Sequence, residues 1–238
     1  MKRNSLVEEL TGSLLDNIVD GEYSVSDTLP PEARLADAAG VSRLTVREAV
    51  GNLRARNIVS VRRGLGTFVN PVEDWSDLDA VVYAAIRRGD ETVAKQLLEV
   101  RRIVEVGGAE LAAQNRDGDL VAALDQAMRD LEAADSADDV PAAAAADLAF
   151  HDAVLRATKN PFVPVLYAQM RQILEATRQQ TSSVPQVRSR AITHHRAIRD
   201  AIAAGLGAAA REAMDAHMDQ TWDDYRRIIG TDEGDYRG

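Results

Sequence analysis

The sequence predicts a mainly α protein in two parts: three helices closed by a β-hairpin, then an antiparallel all-α bundle. Three observations carry this. Apolar residues recur at three- and four-residue steps along most of the 238 residues. That period gives way only over 58–69, where a β-branched run, a glycine turn and a second short run read as a hairpin. A proline-bearing stretch at 71–76 then separates the parts, giving domains at 1–70 and 77–230, a linker at 71–76 and a tail at 231–238.

Leu6, Leu10, Leu14 and Ile18, with Val7 and Leu15 beside them, describe one amphipathic helix that stops at Asp20-Gly21. Residues 24–31 are polar with two prolines and read as a loop. Pro31 suits the first turn of a second helix and Glu32 its positive end, with Leu35, Ala36 and Ala39 facing inward and Gly40 as the stop. Ser42 is an N-cap for a third helix, whose buried stripe is Val46, Val50 and Leu53 and which Asn57 closes. Ile58-Val59-Ser60-Val61 and Thr67-Phe68-Val69 are the strands, with the turn at 62–66. Three helices and a hairpin in about 65 residues make a winged helix-turn-helix, with Gly40 in its sharp turn. From residue 77 the pattern is helical throughout: 77–88, 91–115, 119–134, 139–157, 162–181, 187–204 and 206–229. Seven helices with short connections imply antiparallel neighbours. The alanine run 142–146 suits close helix packing, whereas Gly107-Gly108 softens its helix by about 1 kcal/mol per glycine.

Composition narrows the function. Zero cysteines exclude disulfides, thiol catalysis and cysteine–zinc sites. Aromatic residues are only 4%, which argues against a base-stacking or carbohydrate-stacking surface. There is no run of about 18 apolar residues for a membrane span, and the acids at 8 and 9 come too early for a secretory signal, so a cytoplasmic protein is expected. The net charge of −10 hides an asymmetry: residues 1–70 carry 9 basic and 9 acidic side chains, and 71–238 carry 19 and 29. Within 42–63, six arginines stand against Glu48 alone, a local patch fit for a polyanion.

Leu29-Pro30-Pro31-Glu32, Leu35-Ala36, Gly40-Val41-Ser42-Arg43, Thr45-Val46-Arg47-Glu48-Ala49, Leu53 and the final Gly64-x-Gly66-Thr67-Phe68-Val69 resemble the GntR superfamily of bacterial transcription regulators. In the second part Glu99-Val100-Arg101-Arg102-x-x-Glu105, Asp147-Leu148-Ala149-Phe150-His151, His195-Arg196-Ala197-Ile198 and Ala213-Met214-x-x-His217 resemble the ligand-binding (FCD) domain of the FadR-type branch. The chain departs from the family at Ser26-Asp27, where Pro-Gly is frequent, and at Ala33, where the family often has a DNA-contacting Arg; here Arg34 follows it.

Arg43 and Arg47 share one face of the third helix, where arginine can bond guanine O6 and N7. Ser42 and Thr45 suit phosphate contacts at the helix start, and Arg63 and Gly64, beside Arg62, stand at the wing tip. With Arg34 these form the expected DNA-binding set, and a homodimer on a short pseudo-palindromic operator is the expected assembly.

Asp147 and His151, at i and i+4, share a helix face, and His195 and His217 lie on the last two long helices, so the four could converge. By the resemblance they match the metal ligands of the branch's metal-binding members. Such donors suit a divalent ion: Zn²⁺ first, with Ni²⁺, Fe²⁺ or Mn²⁺ also admitted. Arg101 is the candidate second anchor for a small carboxylate effector, against the alternative of a surface ion pair with Glu105. The resulting reading is a DNA-binding regulator, a repressor as is commoner in the family, controlled by a small organic acid at a metal-containing site, and not an enzyme. The competing readings are a metal-dependent hydrolase and a direct metal sensor.

Overall fold

The computed structural model describes residues 3–89 and 92–229, so the expected tail at 231–238 lies outside the described residues. The chain forms two compact units, one within residues 1–93 and one within 94–238.

The first unit contains α1 (Arg3–Val19), α2 (Glu32–Ala39), α3 (Arg43–Ala55), β1 (Val59–Arg62), β2 (Gly66–Val69) and α4 (Leu78–Arg87). Gly40 ends α2 at φ +64°, a left-handed conformation that glycine adopts without strain, and so permits the tight turn into α3. Ser42 then caps α3 by accepting from the Thr45 amide at 3.1 Å. The strands pair antiparallel, with Val59 opposite Val69 and Arg62 opposite Gly66. The expected loop at 24–31 contributes one further bridge, Thr28 to Phe68. Leu14, Ile18, Val46, Ala49, Leu53 and Ile58 fill the core. Ala49 takes the central place, and Val50, expected in the buried stripe, packs half-buried at its edge.

The helix at 78–87 was expected to open the bundle. It instead packs on the first unit: Ala80 and Ala84 join the core, Tyr83 donates to Asp16, and Arg87 forks onto Asp20 at 3.0 and 2.8 Å. The acids that receive it, Asp16 on α1 and Asp20 just past its end, are four residues apart, and the Asp20 amide still bonds the Asp16 carbonyl at 2.8 Å, so they lie on one face.

The second unit is helical throughout its described residues: α5 (Val93–Gln114), α6 (Gly118–Ser136), α7 (Val140–Arg156), α8 (Phe162–Ala168), α9 (Arg171–Ser182), α10 (Pro185–Ala204) and α11 (Gly207–Ile229). Asp117 and Asp139 cap α6 and α7, and Gly205 ends α10 at φ +72°. Ion pairs give the directions. Arg188 reaches Asp135, Arg196 reaches Glu132 and Arg199 reaches Asp125, so α6 and α10 run antiparallel. Arg102 pairs with Asp215 and Arg211 with Glu110, so α5 and α11 do too. Leu124, Phe150, Ile198, Ile202, Met214 and Met218 form the core.

The helix expected at 162–181 is broken at Gln169–Met170. Met170 donates to the Tyr167 carbonyl at 3.0 Å, a three-residue bond that tightens the turn. Tyr167, Met170 and Leu174, at i, i+3 and i+7, all turn inward across the break. Gly108 also finds its reason here. A Cβ at that place would stand 2.7 Å from Leu155 Cδ2 of α7, so any side chain there would require that leucine to shift.

Candidate nucleic-acid interface and metal centre

On the first unit, Arg43 and Arg47 stand exposed on α3, with Ser42 exposed at its start and Arg34 exposed on α2. Arg47 is not free: it forks onto Glu32 of α2, Nε to Oε1 at 3.3 Å and Nη2 to Oε2 at 2.9 Å. That hydrogen bond from Arg47 holds the Glu32 carboxyl below its ordinary range. Thr45 corrects the expectation that it meets a phosphate. It is buried, and its hydroxyl lies 2.9 Å from Ser42 Oγ, so it completes the cap from inside. At the hairpin tip Arg63 and Gly64 are exposed, Gly64 at φ +77°, while the Arg62 guanidinium lies 4.5 Å over the Phe68 ring. Leu44, half-exposed between the two helix arginines, was not singled out from sequence; its exposure is visible only once the buried face of α3 is known.

In the second unit, Asp147 and His151 from α7, His195 from α10 and His217 from α11 meet, each offering one ligand atom within 4.8 Å of the others. His195 Nε2 stands 3.2 Å from His151 Nε2 and 3.4 Å from Asp147 Oδ1. All three imidazoles are buried. Burial, then the neighbouring histidines, pushes His195 well below the ordinary histidine range, and burial followed by His151 and Arg101 does the same to His217. Both are therefore neutral near pH 7, the state that ligates. His194, next to His195, is outside the cluster.

The surroundings orient these rings. Gln220 Oε1 lies 2.9 Å from His217 Nδ1, and Gln220 in turn donates to Asp224, which Arg190 grips. Glu105 Oε2 lies 2.5 Å from His151 Nδ1 as a close contact rather than an aligned hydrogen bond. Burial alone would raise the Glu105 carboxyl, but Arg101 and His151 hold it well below the usual range. A carboxylate at one ring nitrogen keeps the proton there and leaves the other nitrogen as a lone pair, the usual partner of a metal-bound histidine. The donor set and these partners fit a divalent ion.

Arg101 does pair with Glu105, Nε to Oε1 at 2.7 Å, but the pair is buried and not on the surface. Its Nη2 has no hydrogen-bond partner. A second buried guanidinium, Arg178 of α9, pairs with Asp147. Sequence reading missed it because Arg178 sits in a polar stretch with no motif around it. Two cavities meet at Arg178, Thr181 and Thr221; one adds Asp147, His217 and Gln220, the other Arg101.

Residues 6–69 match the family described as bacterial regulatory proteins, gntR family, and residues 96–220 match the FCD domain. The HTH-type transcriptional regulator LutR of Bacillus subtilis (strain 168) is 32% identical over 206 residues, covering 84% of this chain and 92% of the relative. The galactonate operon transcriptional repressor of Escherichia coli (strain K12) is 30% identical over 203 residues, covering 82% and 86%. A solved structure of Streptococcus agalactiae GntR superposes with a TM-score of 0.51 at 31% identity, covering 90% of this chain and 97% of that one. These relatives are transcription regulators and not enzymes, which sets aside the hydrolase reading.

Proposed function

The chain belongs to the gntR family of bacterial regulatory proteins and carries an FCD domain, and from this premise we propose that it is a repressor whose operator binding is governed by a small carboxylate at a metal-containing centre in the FCD domain. A homodimer is the form that binds, each first unit reading one half of a short pseudo-palindrome. One observation carries the reading most: a cluster of three buried histidines and Asp147 beside two buried guanidiniums.

Asp147, His151, His195 and His217 would hold the ion, Zn²⁺ first among the divalent candidates. When bound, it supplies a fixed positive centre for a carboxylate. Glu105 and Gln220 fix the His151 and His217 rings by their Nδ1 atoms. Arg178, paired with Asp147, and Arg101, with an unpartnered Nη2, supply further positive charge toward an anion. On the DNA side, Arg43 and Arg47 would read base edges, while Ser42, Arg34, Arg63 and Gly64 approach the backbone or minor groove. The galactonate operon repressor, named for an acid, supports both the repressor role and the carboxylate class.

The test is fluorescence anisotropy on operator DNA from the gene's own upstream region, with metal-loaded and chelator-treated protein and a panel of short carboxylates. An acid that shifts DNA affinity only in the loaded protein supports the reading. If the ion alone shifts affinity and no acid adds to it, the protein is a direct metal sensor instead.

A further inference from the structure

Beside the metal cluster lies a chamber of different chemistry. Its walls come from α5, α9 and α11, and its lining includes Leu97, Leu98 and Leu174 with the rings of Trp222 and Tyr225, which bring an indole N–H and a phenol. Two of the threonines that also line it bond their hydroxyls to their own helices. Thr181 Oγ1 donates to the Thr177 carbonyl at 3.1 Å, and Thr221 Oγ1 to the His217 carbonyl at 2.9 Å. Among the described lining residues the charged groups are both guanidiniums: Arg101, with its buried Nη2 unpartnered, and Arg178, which is shared with the metal-side cavity. The polar end of the chamber therefore adjoins the metal cluster, and the rest offers mainly carbon surface.

Resting on the effector reading above, we infer that the ligand is a carboxylic acid with a compact apolar body, an alkyl or aryl acid rather than a polyhydroxylated one. Its carboxylate meets the Arg178 and Arg101 end, and its body lies against Leu97, Leu98, Leu174 and Trp222. Hydroxyls along such a body would leave water for a wall that offers them few partners, and each would weaken binding. Each added methylene, in contrast, gains contact with the wall and tightens binding about fourfold.

The experiment is isothermal titration of full-length, Zn²⁺-loaded protein with acetate, butyrate, hexanoate and phenylacetate, and with L-lactate and D-gluconate as polar comparators. The expected result is affinity that climbs from acetate to hexanoate, with hexanoate and phenylacetate at least about tenfold tighter than D-gluconate, and a change in Trp222 emission. Leu97→Trp, at a half-buried wall position, should weaken hexanoate and phenylacetate and leave acetate unchanged. The wild-type series decides the matter if that variant does not fold. D-gluconate or L-lactate binding more tightly than hexanoate, or affinity indifferent to chain length, overturns the inference and leaves the effector reading standing. If none of the acids binds the loaded protein, the effector reading fails and this inference with it.

Discussion

The Nε2 atoms of His151 and His195 face each other at 3.2 Å between α7 and α10. Glu105 Oε2 stands 2.5 Å from His151 Nδ1, and a proton held on that nitrogen would leave Nε2 presenting a lone pair to the other ring. His195 answers either with an N–H or, when an ion lies among the four residues, with a second lone pair. In either case its Nδ1 is buried without a hydrogen-bond partner.

Metal content follows from this arrangement. Protein purified without an affinity tag should carry about one divalent ion per chain by mass spectrometry. An ion that binds only the folded state would, at 100 times its Kd, stabilise by about 2.7 kcal/mol. Chelator should therefore lower Tm. His217→Ala should lose most of that response, and His194→Ala should keep it. A Tm indifferent to chelator and to added Zn²⁺, Ni²⁺ or Mn²⁺ would reject the site.

The pH dependence has a fixed sign. His195 and His217 have folded-state pKa values below the ordinary value of about 6.5, so below that pH the unfolded chain binds protons that the folded one refuses. The stability they confer is present above about pH 6.5 and is lost as pH falls toward their folded values. The slope is about 1.4 kcal/mol per pH unit for each histidine. Urea midpoints between pH 7.5 and 5 should drop accordingly. Replacing both by Gln should flatten that part of the curve, and an unchanged curve in the double variant would assign the loss to other groups.

Glu105→Gln removes the partner of two groups at once. Arg101 is left as a buried, uncompensated cation, a loss of about 3–5 kcal/mol. His151 loses the carboxylate at Nδ1, which should weaken metal binding about 10- to 100-fold. Metal affinity by competition with a chromogenic chelator separates the effects. Stability lost at unchanged metal affinity would confine Glu105 to packing.

For the DNA interface, Arg43→Ala and Arg47→Ala should each weaken operator binding by about 1–3 kcal/mol if bidentate to guanine. Arg63→Ala should weaken all sequences evenly and make the salt dependence shallower by about one unit. Wild-type affinity in both helix variants would displace α3 from the groove.

Assembly is checked by light scattering. A homodimer of mass twice 25.8 kDa is expected with and without DNA. A monomer bound one-to-one on operator would sink the two-half-site reading.

The periodic elements were legible because each buries one stripe: α1 through Leu10, Leu14 and Ile18, and α3 through Val46 and Leu53. The convergence of Asp147, His151, His195 and His217 was legible chiefly through the family resemblance, since spacing alone supplied only the Asp147–His151 pair and two distant histidines. What eluded sequence reading depends on tertiary neighbours. Periodicity cannot say which unit a helix joins, so α4 went to the bundle until Tyr83 and Arg87 were seen on Asp16 and Asp20. The break before α9 rests on one tightened bond at Met170. Arg101 reads the same whether its ion pair is wet or dry, and Arg178 gains meaning only from Asp147 on another helix.

Glu105 and His151 face each other on α5 and α7; three and four residues further along the same helices, Gly108 faces Leu155. The two contacts are neighbouring rungs of one ladder, and the lower rung sets the gauge for the upper. A single methyl at 108 would press on a leucine that is itself fully enclosed, and the packing between α5 and α7 would have to shift before any ligand atom was touched. The charge that tunes an imidazole would then retreat from it, and the affinity of the centre would drift with all four ligands intact. A position with no side chain, which by helix propensity alone looks like a flaw, thus acts as the calibration of the chemistry one turn away.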